Sequence, residues 1–514
     1  MAPRDNERDL AADPQGIPAA TPTAAAEADI PEKNLRMGTE PIGKLLFEFA
    51  PPTILAVMCT ALYNIINTIF LGQGVGSEAV AVTTVAFPVM TVMNAFAMWF
   101  GSGGNARAAI KMGEGKLHEA ELCLGNAIFL NVVVCSLAAA LMLAFLDPML
   151  VLCGCTPTLM EMARVYIGTL VCGFVIQAIG PSLNNFIRTD GSPTYALFTM
   201  ASGCVASVFF NWLFVMVLGW GVFGGALGTV LGQATCAAFV LGYFFTSRSS
   251  MKLRLSTVRP RLSVLGSIVA LGVSSLAMEV AAAFISTLLN HQIGNLGASD
   301  PIGVDGGLTV IGTLNKIVQM CCFAIIGISI AAQPIEGFNY GARRYGRVRR
   351  TLWVATGAST VLAVAILIVV IALRSPILWS FGLTQAEHDF GMTASVLFII
   401  SMPVVPLAIL GSNYFQATGQ PVKAMFLTLT RQFIFYIPLL YAMPSLAHVV
   451  APGMTDLMSI TFTESAADFC SVVVVAAFQV YEGRRIAKLR EEQAGEAARD
   501  PAALQAPARG QGCG

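Results

Sequence analysis

Twelve stretches of this 514-residue chain stay apolar for long enough to cross a bilayer as helices. They lie near residues 45–71, 79–104, 121–146, 161–186, 195–218, 222–246, 264–292, 306–333, 351–373, 391–416, 424–443 and 459–482. A hydrocarbon layer of about 30 Å takes roughly 20 such residues per crossing, and within it every backbone N–H and C=O must find its partner inside the chain. An all-α integral membrane fold with twelve transmembrane helices meets both demands. Composition agrees, because 55% of the residues are hydrophobic and 12% charged, too few charges to coat a water-soluble globule of this size.

Short cytoplasmic loops retain Lys and Arg, which fixes orientation. Arg107, Lys111 and Lys116 follow the second stretch, Arg188 the fourth, and Arg248, Lys252, Arg254, Arg259 and Arg261 the sixth. Arg343, Arg344, Arg347, Arg349 and Arg350 follow the eighth, Lys423 the tenth, and Arg484, Arg485, Lys488 and Arg490 the twelfth. The alternate loops hold Glu78, Asp147, Asp300, Asp305, Glu387, Asp389 and Asp456, with Arg374 the main basic exception. Both termini are therefore expected in the cytoplasm. Residues 1–40 lack the apolar core of a cleavable signal peptide and read as a disordered leader. Residues 247–263 read as a basic cytoplasmic linker, and 483–514 as a disordered tail. Net charge is zero and the basic residues form no patch, so nucleic acid is not an expected partner. The twelve cysteines sit singly in apolar runs, where they pack as small hydrophobes. Cys153 and Cys155 are too close for an easy disulfide, and Cys321-Cys322 has no His or carboxylate at ligand spacing, so no metal site is expected.

One phrase is written twice. NFIRTDGSPTYALF begins at Asn185 and NYFQATGQPVKAMF at Asn413. Asn185, Gly191, Pro193, Ala196 and Phe198 recur as Asn413, Gly419, Pro421, Ala424 and Phe426, each displaced by 228 positions. The same shift carries Gly113 in IKMGEGK onto Gly341 in FNYGARR. Six crossings fit inside that offset, and because six is even both halves run the same way through the membrane. The expected organisation is an N-lobe over 41–246 and a C-lobe over 264–482, two parallel six-helix bundles related by an axis along the membrane normal. Secondary transporters are commonly built in this way, with the substrate path between the repeats.

Several segments carry a further resemblance: LYNIINTIFLGQGVGSEAVAVTTVAFPVM from Leu62, FGSGGNARAAIKMGEGK, LNNFIRTDGSP, GVFGGALGTVLGQ, AAQPIEGFNYGARRYGRVRRTL and SNYFQATGQPVKAMF. Together, and in order from Pro41 to about Tyr481, they resemble the multidrug and toxic compound extrusion (MATE) family, and within it the MepA-like bacterial branch. The resemblance implies a V-shaped pair of six-helix lobes in a bacterial plasma (inner) membrane. It implies efflux of bulky, often cationic organic compounds, coupled to inward movement of H+ or Na+. The expected partners are small organic substrates and bilayer lipid, with the chain acting as a monomer and not as an enzyme.

The resemblance also implies where coupling residues should stand. Relatives read LYNIVDxxFxG in the first helix, whereas this chain reads LYNIINTIFLG and places Asn67 at the aspartate. Relatives supply an Asn and an Asp four apart in the fifth helix, where ASVFFNWLF offers Ser207 and Asn211; the sixth-helix threonine is retained as Thr229. An amide coordinates and donates, yet it cannot exchange a proton near neutral pH. The titratable groups within the bilayer lie elsewhere. Glu279 and Lys316 fall at nearly the same depth of the seventh and eighth crossings, counting 1.5 Å per residue. They are expected to pair in the C-lobe, and protonation of Glu279 or arrival of a cationic substrate is expected to break the pair. Asn67, Asn211, Glu279 and Lys316 are thus the coupling candidates. Tyr63, Asn64, Asn185, Ser207, Thr229, Asn315, Gln333 and Asn413 are the candidate polar lining of the substrate cavity. Arg431, Asp468 and Glu336 are read as gating or structural charges.

No GxxxxGKS/T sequence is present to bind nucleotide, so the energy source is a gradient. Two other readings stay open. A lipid-linked sugar flippase would want a cavity dense in Arg and Lys, and the missing N-lobe carboxylates leave room for a transport-inactive scaffold or sensor. A channel fits less well, because the polar residues form no ring-like filter.

Overall fold

The computed structural model describes residues 32–499 apart from 154, 156, 255, 382, 451 and 452. The chain folds as α1 (Glu32–Thr39), α2 (Ile42–Gly74), α3 (Ser77–Gly113), α4 (Leu117–Ala144), α5 (Leu146–Leu152), α6 (Met160–Cys172), α7 (Phe174–Thr189), α8 (Pro193–Asn211) and α9 (Gly221–Phe245). The second half continues with α10 (Leu262–Gly297), α11 (Gly303–Gly341), α12 (Tyr345–Ala372), α13 (Arg374–Ser380), α14 (Gln385–Ile399), α15 (Val405–Ala417), α16 (Pro421–Leu429), α17 (Ile437–Val450), α18 (Asp456–Thr461) and α19 (Thr463–Arg499). Wide π-helical turns at Trp212–Val217 and Thr430–Tyr436 extend α8 and α16.

Ten spans among the described residues are long and apolar enough to cross a membrane without a break. An eleventh, the fourth crossing, is the pair α6 and α7, bent by 51°. The bend sits at Gly173, where a Cβ would stand 2.5 Å from Val230 Cγ2, so only glycine lets the kinked chain lie against α9. The tenth crossing is likewise in two pieces, α14 and α15, parted by Ile400-Ser401-Met402-Pro403-Val404. Gly173 and Ser401 are 228 apart, so both lobes break the same crossing at the same place. The architecture is the all-α, twelve-crossing, two-lobed V.

The repeat is visible as a reciprocal contact between the lobes. A Cβ on Gly113 would stand 1.9 Å from Phe338 O, and one on Gly341 would stand 2.0 Å from Ile110 O. A Cβ on Gly337 would stand 2.7 Å from that of Ala109. Each of these pairs, 113 with 341, 110 with 338 and 109 with 337, is joined by the 228 shift. Residue i touching j while the equivalent of j touches the equivalent of i is the signature of a twofold interface. The glycines let α3 and α11 meet backbone to backbone, as small residues do between membrane helices. Beside this axis α3 also packs on α10, with Gly103 against Ile268 O and Gly272 against Trp99 O.

Burial follows the V. One core runs through both lobes at the end that carries the basic loops, from Met37, Phe100 and Phe186 to Ile335, Phe338 and Phe415. At the other end the cores are separate, one confined to the N-lobe around Leu71, Tyr166 and Phe174 and one to the C-lobe around Ile285, Leu314 and Tyr436. The lobes are thus sealed at one end and apart at the other. Two expectations need correction. Residues 32–39 of the supposed leader are helical, and the last helix runs on to Arg499 through most of the supposed tail; positions 1–31 and 500–514 lie outside the described residues.

Candidate functional site

In the N-lobe, four helices place neutral polar side chains together at membrane depth. Asn67 of α2 donates through Nδ2 to Thr229 Oγ1 of α9 at 3.0 Å and to the Tyr166 hydroxyl of α6 at 3.2 Å. Thr229 in turn donates to Gly225 O on its own helix. On α8, Asn211 donates to Ser207 O at 2.8 Å and to Ser207 Oγ at 3.2 Å. Glycines let α9 approach: a Cβ on Gly228 would meet Asn211 Oδ1 at 2.9 Å, and one on Gly232 would meet Ser207 Cβ at 2.5 Å. The Oδ1 atoms of Asn67 and Asn211 are buried and accept no hydrogen bond among the described residues. The structure therefore joins Asn67 to Thr229 and Asn211 to Ser207, all four buried, with Tyr63 also buried on α2. It adds Tyr166, which no sequence signal singled out. The cluster can coordinate and tie helices together, but none of its groups exchanges a proton near neutral pH.

The C-lobe holds charge instead. Arg431 lies in the π-helical turn and donates through Nε to Asp468 Oδ1 at 2.6 Å and through a terminal nitrogen to Glu464 Oε1. Ser401, in the break between α14 and α15, donates to Asp468 Oδ2 at 2.8 Å. Ser465 closes the group by donating to Phe398 O and Ser401 Oγ. Two carboxylates share one guanidinium, and the Asp468 side chain is 2% exposed. Arg431 and Asp468 were legible from sequence, whereas Glu464 was not singled out. Its signal was the spacing TESAAD, which puts Glu464 and Asp468 four apart on one helical face.

The expected Glu279–Lys316 pair is absent among the described residues. Lys316 is exposed on α11 and Glu279 is half-buried on α10, and neither has an ionic or hydrogen-bonding partner there. Equal depth fixes the height of two side chains but not the direction in which each helix points them. Asn315, beside Lys316, is exposed and donates to Ile311 O of its own helix. Glu336 is buried, at 2% exposure, without a hydrogen bond or ion pair among the described residues. Asn413 donates to Ser329 Oγ at 2.7 Å, within the C-lobe. Its equivalent, Asn185, accepts from Arg188 at 2.6 Å one turn along the same helix. Gln333 reaches Gln416 at 3.5 Å. Gln416, missed in the sequence, bridges the lobes by donating to Ser102 Oγ, Ser275 Oγ and Leu271 O. The side chain of Asn64 lies outside the described residues.

Comparison with known proteins agrees with this architecture. The MatE family model matches twice, over residues 52–213 and 284–442, once in each lobe. The Multidrug export protein MepA of Staphylococcus aureus (strain N315) is 19% identical over 436 residues, covering 85% of this chain and 94% of that protein. The protein of the same name from Staphylococcus haemolyticus (strain JCSC1435) is 22% identical over 441 residues, covering 84% and 93%. Among solved structures, a MATE in the bent conformation superposes with a TM-score of 0.80 at 19% identity, covering 90% of this chain and 99% of that one. The outward-facing conformation of a multidrug resistance MATE family transporter of the MOP superfamily superposes at 0.79 and 19%, covering 91% and 99%. With most of both lobes matched by the family model, and the break and the axis in register with the repeat, this chain belongs to the MatE family.

Proposed function

We propose that the chain is an ion-coupled secondary exporter of bulky, cationic organic compounds. It works as a monomer in a bacterial plasma (inner) membrane with both termini in the cytoplasm. The observation that carries this reading is the twofold contact of Gly113 and Gly341, which joins the lobes at one end while their cores stay separate at the other. Two rigid bundles hinged on such an axis can rock, opening one cleft alternately to each side. With the basic loops inside, the conformation described here faces outward. The MepA relatives are named as multidrug exporters, and the direction of transport follows that likeness.

Coupling is assigned to Arg431, Glu464 and Asp468. Antiport requires that cation and substrate not occupy the carrier together, and one uncompensated negative charge at membrane depth enforces this. A proton or Na+ neutralises the second carboxylate, and a cationic substrate competes for the same field. Glu279, without a partner among the described residues, is assigned to the substrate's positive charge. The N-lobe amides serve as coordinating or helix-tying groups.

The test is efflux from proteoliposomes with a proton gradient or a sodium gradient imposed separately. One gradient is expected to drive a lipophilic organic cation out against its own concentration. If neither drives any cation tried, the scaffold reading takes over. In the same assay Glu279→Gln is expected to raise KM for a cationic substrate several-fold while leaving the gradient dependence in place.

A further inference from the structure

The short helix that precedes the first crossing touches both lobes. At its start, Lys33 Nζ donates to Asp190 Oδ2 at 2.7 Å, to the Tyr243 hydroxyl at 2.9 Å, to Ser192 Oγ at 3.3 Å and to Arg248 O at 2.7 Å. All four acceptors belong to the N-lobe or the linker leaving it. Asp190 is fully buried and is held further by the Tyr243 hydroxyl at 2.6 Å and by the Ser250 N–H. Next to Lys33, Asn34 is also fully buried and stands against Gly191.

At its other end the helix meets the C-lobe. Met37 O accepts from Asn339 Nδ2 at 2.9 Å and from Arg347 at 3.2 Å, Gly38 O accepts from Arg344 at 2.6 Å, and Glu40 O accepts from Arg347 at 2.6 Å. The last carbonyls of any helix lack partners within it and carry its negative dipole. Here Asn339 of α11, Arg344 of the loop after it and Arg347 of α12 supply the missing donors. The fit is close: a Cβ on Gly38 would stand 2.3 Å from the Arg344 guanidinium, and Met37 is 1% exposed. Within eight residues the chain is fastened to one lobe by an ion pair to the buried Asp190 and to the other by main-chain capping.

These contacts lie at the sealed end, beside the Gly113–Gly341 axis. Opening that end draws the Asp190 loop and the Arg344–Arg347 start of α12 apart. Helix α1 is tied to α2 by Glu40-Pro41 and anchored on the N-lobe by Lys33, so it moves with that lobe, and the bonds from Asn339, Arg344 and Arg347 to the carbonyls of residues 37, 38 and 40 must break first. We propose that residues 32–40 form a latch, anchored by Lys33 on Asp190 and released from the C-lobe at each turnover, which sets the balance between outward-facing and inward-facing states. The proposal rests on the alternating-access reading given above, and it makes Lys33 and Arg347 positioning residues for the conformational step, remote from the polar clusters.

Hydrogen exchange of the full-length protein in nanodiscs reads the latch directly. Lys33→Met is expected to speed exchange about tenfold along residues 339–350 and at the sealed ends of α3 and α11, while the separated ends of the lobes keep their protection. Arg347→Met is expected to do the same from the other side. The charge swap Lys33→Asp with Asp190→Lys is expected to restore slow exchange, which a merely destabilised protein would not show. Wild-type exchange at 339–350 in both single variants overturns the latch, as does a swap that folds yet leaves exchange fast. Because exchange is measured without substrate or gradient, a chain that transports nothing can still keep its latch, and the two readings fail separately.

Discussion

Positions 203 and 431 are equivalent in the repeat, and the two lobes use them in opposite ways. In the N-lobe the residue is Gly203, where α8 and α9 lie so close that a Cβ would stand 2.7 Å from Cys236 Cβ and 3.1 Å from Gly232 O. In the C-lobe it is Arg431, whose guanidinium spans the same kind of gap to hold Glu464 and Asp468 on α19. The break of the crossing beside it follows suit, with Gly173 packed on Val230 in one lobe and Ser401 bonded to Asp468 in the other. Duplication has preserved the backbone while the chemistry diverged. One bundle closes its interior with glycine and neutral amides, and the other keeps a buried charge that can respond to a cation.

The largest effects should come from the charged lobe. Arg431→Met strands two carboxylates, and breaking a buried ion pair from one side costs about 3–5 kcal/mol. Little folded protein is expected, measured as the yield of monodisperse material in detergent. Glu464→Gln is the sharper variant, because it leaves Arg431 and Asp468 as a balanced pair and so spares the fold. It is expected to lower gradient-driven efflux by about tenfold or more while substrate binding persists, the pattern of a lost coupling charge. Wild-type gradient dependence in Glu464→Gln, together with its loss in Asn67→Ala, would reverse the roles given to the two lobes.

The next effect down tests the neutral lobe's packing. Gly203→Ala forces a methyl group into a gap already filled by Cys236 and the Gly232 carbonyl, and overpacking of this kind costs about 1–3 kcal/mol. A lowered midpoint of thermal unfolding with unchanged ion dependence is the expected outcome. Full stability would mean that the close approach of α8 and α9 is not what distinguishes this position from Arg431.

The contrast between the lobes was partly legible in the sequence. Asn67 and Asn211 could be read as amides standing in for carboxylates because the resemblance to relatives marks acidic positions in those two helices, and the surrounding residues keep the match. The twelve crossings and the 228 shift were legible for the same reason, since hydrophobic length and repetition are linear properties. Glu464 escaped because its partner is 33 positions away on another helix, and only packing reveals that α19 turns it toward Arg431. The Glu279–Lys316 pair failed on the converse point: rise per residue gave both depths, but a helix boundary uncertain by even one residue turns a side chain by about 100°. Gln416 stands three positions after a marked asparagine, Asn413, yet its reach across the lobe interface to Ser102 depends on the axis itself. The latch was hidden by composition, because a charged, Ala- and Pro-rich leader gives no sign that its last turn will cap onto arginines more than 300 positions on.

The smallest effect bears on what the N-lobe amides do. Thr229→Val removes one acceptor of Asn67 and leaves the Tyr166 hydroxyl as the other. Interhelical hydrogen bonds in membranes are worth about 0.6 kcal/mol on average and at most about 1.7, so the unfolding midpoint should fall slightly and transport should persist. A double-mutant cycle of Asn67→Ala with Thr229→Val, read as stability, is expected to return a coupling energy in that range. Run in parallel as gradient-driven efflux, the same cycle decides between tying and coordinating. If stability falls and ion dependence does not, the amides tie α2 to α9. If stability barely moves while a sodium dependence disappears, the buried oxygens of Asn67 and Asn211, which accept no hydrogen bond here, hold a cation in place of the missing carboxylates, and the neutral lobe is not passive.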